Sequence, residues 1–268
     1  MSVERGPAGD GAVLLVDLAT YEAVGRVGAG APGPHWSVFT PDGRKGYTAN
    51  KEAGFLSVLG PVPRRVGPGL AGTVPVPGSE GLAVTPDGRH LVVAAPKFGL
   101  GGSPAAPPAP AVVDVRTGRV VHTTALGAPA VPVHVTAGGP VLAAEVRLGE
   151  PAADGSPRPV DGLLRIFSLD GARGGPAGAE GSDDSDGSDG RGGSDGHDAV
   201  VLRELGEVPV GRVPLTLLSS PDGTVGYVAN TASDTVTVVD LVERRVLREI
   251  HLGPGAGPHG MAYVPALG

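Results

Sequence analysis

The chain has no cysteine, which removes disulfides, thiolate metal sites and cysteine nucleophiles together and leaves its redox compartment open. No apolar run reaches the roughly 18 residues of a membrane-spanning helix, so no membrane span is expected. The opening Met1-Ser-Val-Glu-Arg-Gly6 lacks the basic start and long apolar stretch of a signal peptide. As written, the chain is therefore expected to be soluble and cytoplasmic. Basic residues are few, with 21 Lys and Arg against 28 Asp and Glu and a formal charge of −7. No basic face for nucleic acid is visible. Also missing are a Gly-x-Ser-x-Gly nucleophile elbow and a His-Glu-x-x-His motif, and Gly99-Leu-Gly-Gly102 does not sit in the strand-to-helix context of a phosphate loop.

Glycine and proline are abundant, at 46 and 28 of 268 residues. Both interrupt helices, so a mostly helical protein is nearly excluded. The 40% of hydrophobic residues is enough for a core and argues against a disordered polymer. What remains is an all-β fold of many short strands and tight turns.

Self-comparison reveals a repeat. Thr40-Pro-Asp-Gly-Arg44 recurs as Thr85-Pro-Asp-Gly-Arg89 and Ser220-Pro-Asp-Gly223, with a worn copy at Thr136-Ala-Gly-Gly139 and a truncated one at Val264-Pro265. The spacings from 40 through 85, 136, 220 and 264 are 45, 51, 84 and 44 residues, and the long interval contains an acidic segment, 171–198. A period near 45 with fixed turn chemistry is the signature of β-propeller blades. A short apolar strand precedes each landmark, Pro-Asp-Gly makes the turn, and a second strand follows. Third strands end on Asp17, Asp114 and Asp240. Residues 241–250 have helix-like charge, but they align without gaps on a stretch broken by Thr117-Gly118, which predicts two strands with Glu243-Arg244 between them.

Four complete blades are expected over about 35–76, 80–126, 131–208 and 213–252. One strand at 259–264, joined by strands near 2–6 and across 13–28, would make a fifth blade and close a single-domain ring over 1–268, removing free sheet edges. The alternative is a fragment of a larger, seven-bladed propeller.

Gly33-Pro-His35-Trp-Ser-Val-Phe-Thr-Pro-Asp-Gly-Arg44, with Tyr47-Thr-Ala-Asn50, resembles the YVTN-type β-propeller repeat of YncE-like and lactonase-like proteins. The clearest copy is Tyr227-Val-Ala-Asn230 with Asp234-Thr-Val-Thr-Val-Val-Asp240. The resemblance covers nearly the whole chain apart from its insertions. It implies a propeller, usually of seven blades and often exported. For function it implies either a binding protein or a lactonase or lyase.

The position five before each landmark is His35, Glu80, Val131, Leu215 and His259, where the innermost strands begin at the channel mouth. His35, Glu80 and His259 would lie on consecutive blades. Two imidazoles and a carboxylate suit a divalent metal ion, or acid/base catalysis with an orienting partner. The plainer reading is that Gly-Pro-His is turn chemistry, each His bonded to backbone. Asp42, Asp87 and Asp222 are expected to cap their own turns, as are Asp17, Asp114 and Asp240, with Asn50 and Asn230 ending strands. Trp36 should face the sheet packing rather than the channel. Scattered His90, His122, His134, His197 and His251 read as structural or solvated.

Two long loops, 97–110 and 147–162, should overhang the face carrying His35, Glu80 and His259, where binding usually resides. The segment 171–198 falls on the opposite face as a disordered, solvated insertion; its Asp184–Gly190 run fails the EF-hand spacing. Lengthening a turn to that extent costs only ~2 kcal/mol of loop-closure entropy. These features point to a non-catalytic propeller binding a small molecule or a protein on its loop-decorated face. The alternative is an enzyme opening a lactone or ester-like ring with His35, Glu80 and His259, with or without a divalent metal.

Overall fold

The structure, a computed structural model, describes residues 1–4, 11–51, 53–60, 69–76, 79–94, 109–171 and 200–264. Among these residues the regular elements are strands, and no helix is long and apolar enough to cross a membrane. The first sheet has three strands, β1 (Ser2–Val3), β2 (Ala12–Val16) and β3 (Ala23–Gly28). The second comprises β4 (Pro34–Phe39), β5 (Gly46–Asn50), β6 (Phe55–Leu59) and β7 (Leu70–Pro75). The third comprises β8 (Leu82–Val84), β9 (His90–Val93), β10 (Ala111–Asp114) and β11 (Arg119–Thr123). The fourth holds β12 (Ala130–Val135), β13 (Val141–Leu148), β14 (Pro159–Asp170) and β15 (Val201–Arg212). The fifth holds β16 (Pro214–Ser219), β17 (Val225–Asn230), β18 (Thr235–Asp240) and β19 (Arg245–His251). Each sheet is an antiparallel meander in chain order. The first strands form an inner row, with β4 beside β8, β8 beside β12, and β12 beside β16.

The landmark turns show why the repeat exists. Gly43, Gly88 and Gly223 donate their N–H to Thr40, Thr85 and Ser220 carbonyls at 2.8, 2.8 and 2.9 Å. Each sits at φ between +67° and +72°, the left-handed region glycine enters without strain. Asp42 accepts from the Thr40 hydroxyl (2.6 Å) and the Arg44 N–H (3.0 Å), and Asp87 repeats both bonds with Thr85 and Arg89. Asp222 accepts from Ser220 and Thr224 in the same way. Asp17, Asp114 and Asp240 likewise accept backbone N–H groups of their own turns, from Ala19, Thr117 and Glu243. Thus all six aspartates act locally, as the sequence indicates.

The worn copy keeps the turn, since Gly139 N–H donates to Thr136 O at 3.0 Å. Without an Asp, however, the Thr136 hydroxyl is buried with no partner among the described residues. Gly138 occupies the Asp position, and a Cβ there would meet nothing closer than Pro140 Cδ at 3.7 Å. Gly138→Asp is expected to stabilise the protein by about 1 kcal/mol, from the new hydrogen bond and a stiffer unfolded chain. A urea midpoint that is unchanged or lower would contradict this account of the turn.

Packing runs between sheets. Val13, Val27 and Leu59 join the first sheet to the second, and Tyr47, Leu56, Leu91 and Val113 join the second to the third. Val92, Val112, Val133 and Phe167 join the third to the fourth, and Leu164, Ile166, Val228 and Val239 join the fourth to the fifth. Among the described residues no such cluster joins the fifth sheet to the first. Trp36 packs at the margin of the cluster around Tyr47, on the sheet side as expected. Strands β18 and β19 meet through residues 241–244 in a turn, with Asp240 accepting from Val242 and Glu243 N–H, so the charged stretch is not helical.

Two expectations are corrected. Residues 259–264 are not a strand, and no described hydrogen bond joins them to Ser2–Val3. Pro254 and Pro258 remove ladder donors, and Gly253, Gly255 and Gly257 all lie at positive φ, so the stretch leading from β19 into 259–264 cannot continue as an extended strand. It is instead pinned to the fifth sheet. Asp234 accepts from Gly255 and Gly257 N–H at 2.9 and 2.8 Å, Thr231 Oγ1 donates to Pro258 O at 2.7 Å, and Thr216 Oγ1 donates to His259 O. The stretch 147–162 is strand at both ends, because Arg147↔Val160 and Leu148↔Pro159 extend the β13–β14 ladder, leaving only 149–158 as loop. Most of 97–110 and nearly all of the acidic segment 171–198 lie outside the described residues.

Candidate functional site at the channel mouth

Gly33, at φ +72°, organises the mouth. Its N–H donates to Glu4 O (3.0 Å) and its carbonyl accepts from Lys51 N–H (2.8 Å), so one turn fixes the chain ends that follow β1 and β5 beside His35. Ser2 Oγ adds a bond to the His35 carbonyl. Glu80 is set by its neighbours. Ser79, almost wholly buried, accepts from Asn50 N–H (3.0 Å) and donates to Asn50 O (3.1 Å), Glu80 N–H donates to Ala94 O (3.3 Å), and Gly81 N–H donates to Val131 O (3.1 Å).

Side chains from separate segments meet here. Lys51 Nζ lies 2.7 Å from Glu4 Oε2, and His35 Nε2 lies 3.7 Å from Glu4 Oε1. The His35 ring tilts against Trp36, centroids 5.6 Å apart, and its Nδ1 is buried with no partner among the described residues. Burial lowers the His35 pKa, and Lys51 and His259 lower it further against the pull of Glu4. Burial raises the Glu80 carboxyl pKa; Lys51 counters that rise and Glu4 adds to it. At neutral pH the mouth therefore holds an uncharged imidazole, a carboxyl reluctant to ionise and one ammonium–carboxylate pair.

The three residues singled out from the sequence are distributed as follows. His35 and Glu80 share Lys51 and Glu4 as electrostatic neighbours. His259, exposed on the tail, acts on His35 but is not among the groups acting on Glu80. No three His, Asp or Glu side chains among the described residues are grouped as a metal ion would require. The His35 and His259 carbonyls accept from the side-chain hydroxyls of Ser2 and Thr216, and the His35 ring nitrogen Nδ1 has no partner among the described residues. Sequence reasoning missed Glu4 and Lys51. A signal existed for Lys51, which stands where the matching copy has Thr231, immediately after the shared Asn.

No family model matches this sequence, and no curated protein matches it. Solved structures do. The β-propeller domain of Cps50 (Swd1) from Myceliophteria thermophila aligns at 13% identity and a TM-score of 0.58, over 90% of this chain and 69% of that one. A functionally unknown protein from Desulfotomaculum acetoxidans aligns at 15% identity and a TM-score of 0.61, over 91% of this chain and 63% of its own. The fold is a β-propeller. The five sheets are its blades, and the chain spans less than two thirds of the second relative's length.

Proposed function

We propose that this propeller is a non-catalytic binding scaffold of the YVTN type, with its ligand site at the mouth framed by Glu4, His35, Lys51, Glu80 and His259. The observation that carries the reading is the convergence of His35 and Glu80 on the Glu4–Lys51 pair, with burial shifting the first two toward their neutral forms. Half-buried groups held short of full solvation are what a ligand completes. The β13–β14 hairpin, reaching past the start of β12, supports a mouth walled on one side. Backbone amide shifts with a fragment library are expected to cluster on 33–35, 51 and 79–81. Hits that map elsewhere would overturn the assignment.

A lactonase reading has one observation in its favour, a neutral imidazole with a carboxylate 3.7 Å from Nε2, the pairing of base and orienting group. On a lactone panel no turnover is expected. Hydrolysis abolished by His35→Ala would replace the scaffold reading with the enzymatic one.

A further inference from the structure

We infer that the ligand of this mouth carries an organic ammonium or guanidinium cation, received by the Glu80 carboxylate beside Glu4. The inference rests on the mouth being a binding site, and it follows from counting which hydrogen-bonding groups are already used. The one strong donor, the Lys51 ammonium, is spent on Glu4 at 2.7 Å. His35 presents Nε2 toward the same carboxylate at 3.7 Å. The Glu80 side chain has no hydrogen-bond donor among the described residues although the group is half-buried. Among the described residues, the unmet capacity at Glu80 is therefore acceptor capacity.

An anionic ligand would meet Glu4 and Glu80 and find the ammonium already engaged. A neutral ring would supply no charge to the Glu80 carboxylate. A cationic N–H donor answers both needs, since hydrogen bonds between charged partners are about twice as strong as neutral ones, and like charge at close range is costly. The raised Glu80 carboxyl fits the same picture: lacking a cation it leans toward keeping its proton, and a bound cation displaces that proton. Affinity should accordingly fall as pH is lowered and Glu80 protonates. Protonation of His35 near Lys51 and Glu4 works in the same direction, because it adds positive charge to the site.

The test titrates full-length protein with n-butylammonium, agmatine and spermidine, with a short unstructured Lys/Arg peptide, and with butyrate, inorganic phosphate and γ-butyrolactone as counter-probes. Binding is read by amide shifts and calorimetry at pH 7. The amines should shift residues around His35, Lys51 and Glu80, and Glu80→Gln should weaken them at least tenfold with an unchanged melting temperature. Lys51→Met should tighten them several-fold by removing a like charge near Glu80, whereas any anion would bind more weakly to that variant. Tighter binding of the peptide than of the free amines assigns the cation to a protein side chain, and the reverse assigns it to a metabolite. Anions or the lactone shifting the mouth while amines do not would overturn the cation and leave the binding site standing. Amine binding indifferent to Glu80→Gln would also overturn it. No probe shifting these residues would sink both inferences.

Discussion

Arg165→Ala is expected to destabilise the protein by about 3 kcal/mol, at the lower end of the range for stranding one partner of a buried ion pair. Glu145 is only 2% exposed, and Arg165 Nε donates to its Oε1 at 3.0 Å. The far side of the guanidinium reaches Glu204 at 2.8 Å and also Glu207, both well exposed, so solvent tempers the loss. The repeat supplies a rescue. Glu145 pairs with Ala130 as Asn50 does with Pro34 and Asn230 with Pro214. Arg165, opposite Ala143, stands where Ser57 and Thr237 stand opposite Thr48 and Val228. In those blades the Asn amide donates to the hydroxyl at 2.8 Å. The double variant Glu145→Asn with Arg165→Ser should therefore recover most of the stability in urea unfolding. A double variant as weak as Arg165→Ala would show that the two blades are not interchangeable at this site.

Tyr47→Ala is expected to cost about 3–5 kcal/mol, the range for deleting a buried aromatic ring, whereas Tyr227→Ala should cost about 1 kcal/mol as a partly exposed side chain does. Both tyrosines occupy the same place in the repeat, three before the buried Asn50 and Asn230. Tyr47 is 2% exposed inside the cluster shared by the second and third blades, and that burial pushes its hydroxyl pKa up. Tyr227 is only partly buried, on the blade that no described apolar cluster joins to the next. Equal losses, measured by chemical denaturation, would mean that the seam between the fifth and first sheets is as well packed as the others.

Much of the architecture is readable from residues alone because its causes are local. Pro-Asp-Gly closes a turn through its own φ angles and its own Asp acceptor, so copies at 40, 85 and 220 declare themselves and even the worn copy at 136 folds alike. The charged stretch 241–250 resolves into a hairpin for the same reason, the Asp240 cap. Residues 259–264 form no strand although their place in the repeat predicts one, because proline, positive-φ glycines and the Asp234 bonds to Gly255 and Gly257 redirect the chain just before them.

The site divides in the same manner. His35, Glu80 and His259 are found by offset from a landmark, which fixes height along the channel and nothing more. That Glu4 and Lys51 complete the mouth depends on Gly33 tying together chain segments about thirty and twenty residues away in opposite directions. The ion pair in place of an Asn–Ser pair in the fourth blade, and the unequal fates of Tyr47 and Tyr227, are likewise invisible to periodicity. Sequence by itself determined the strands, turns and repeat, because those energies come from near neighbours along the chain. Only the packed blades decided which charges meet and which identical residues are buried, because electrostatics and packing act through space between blades.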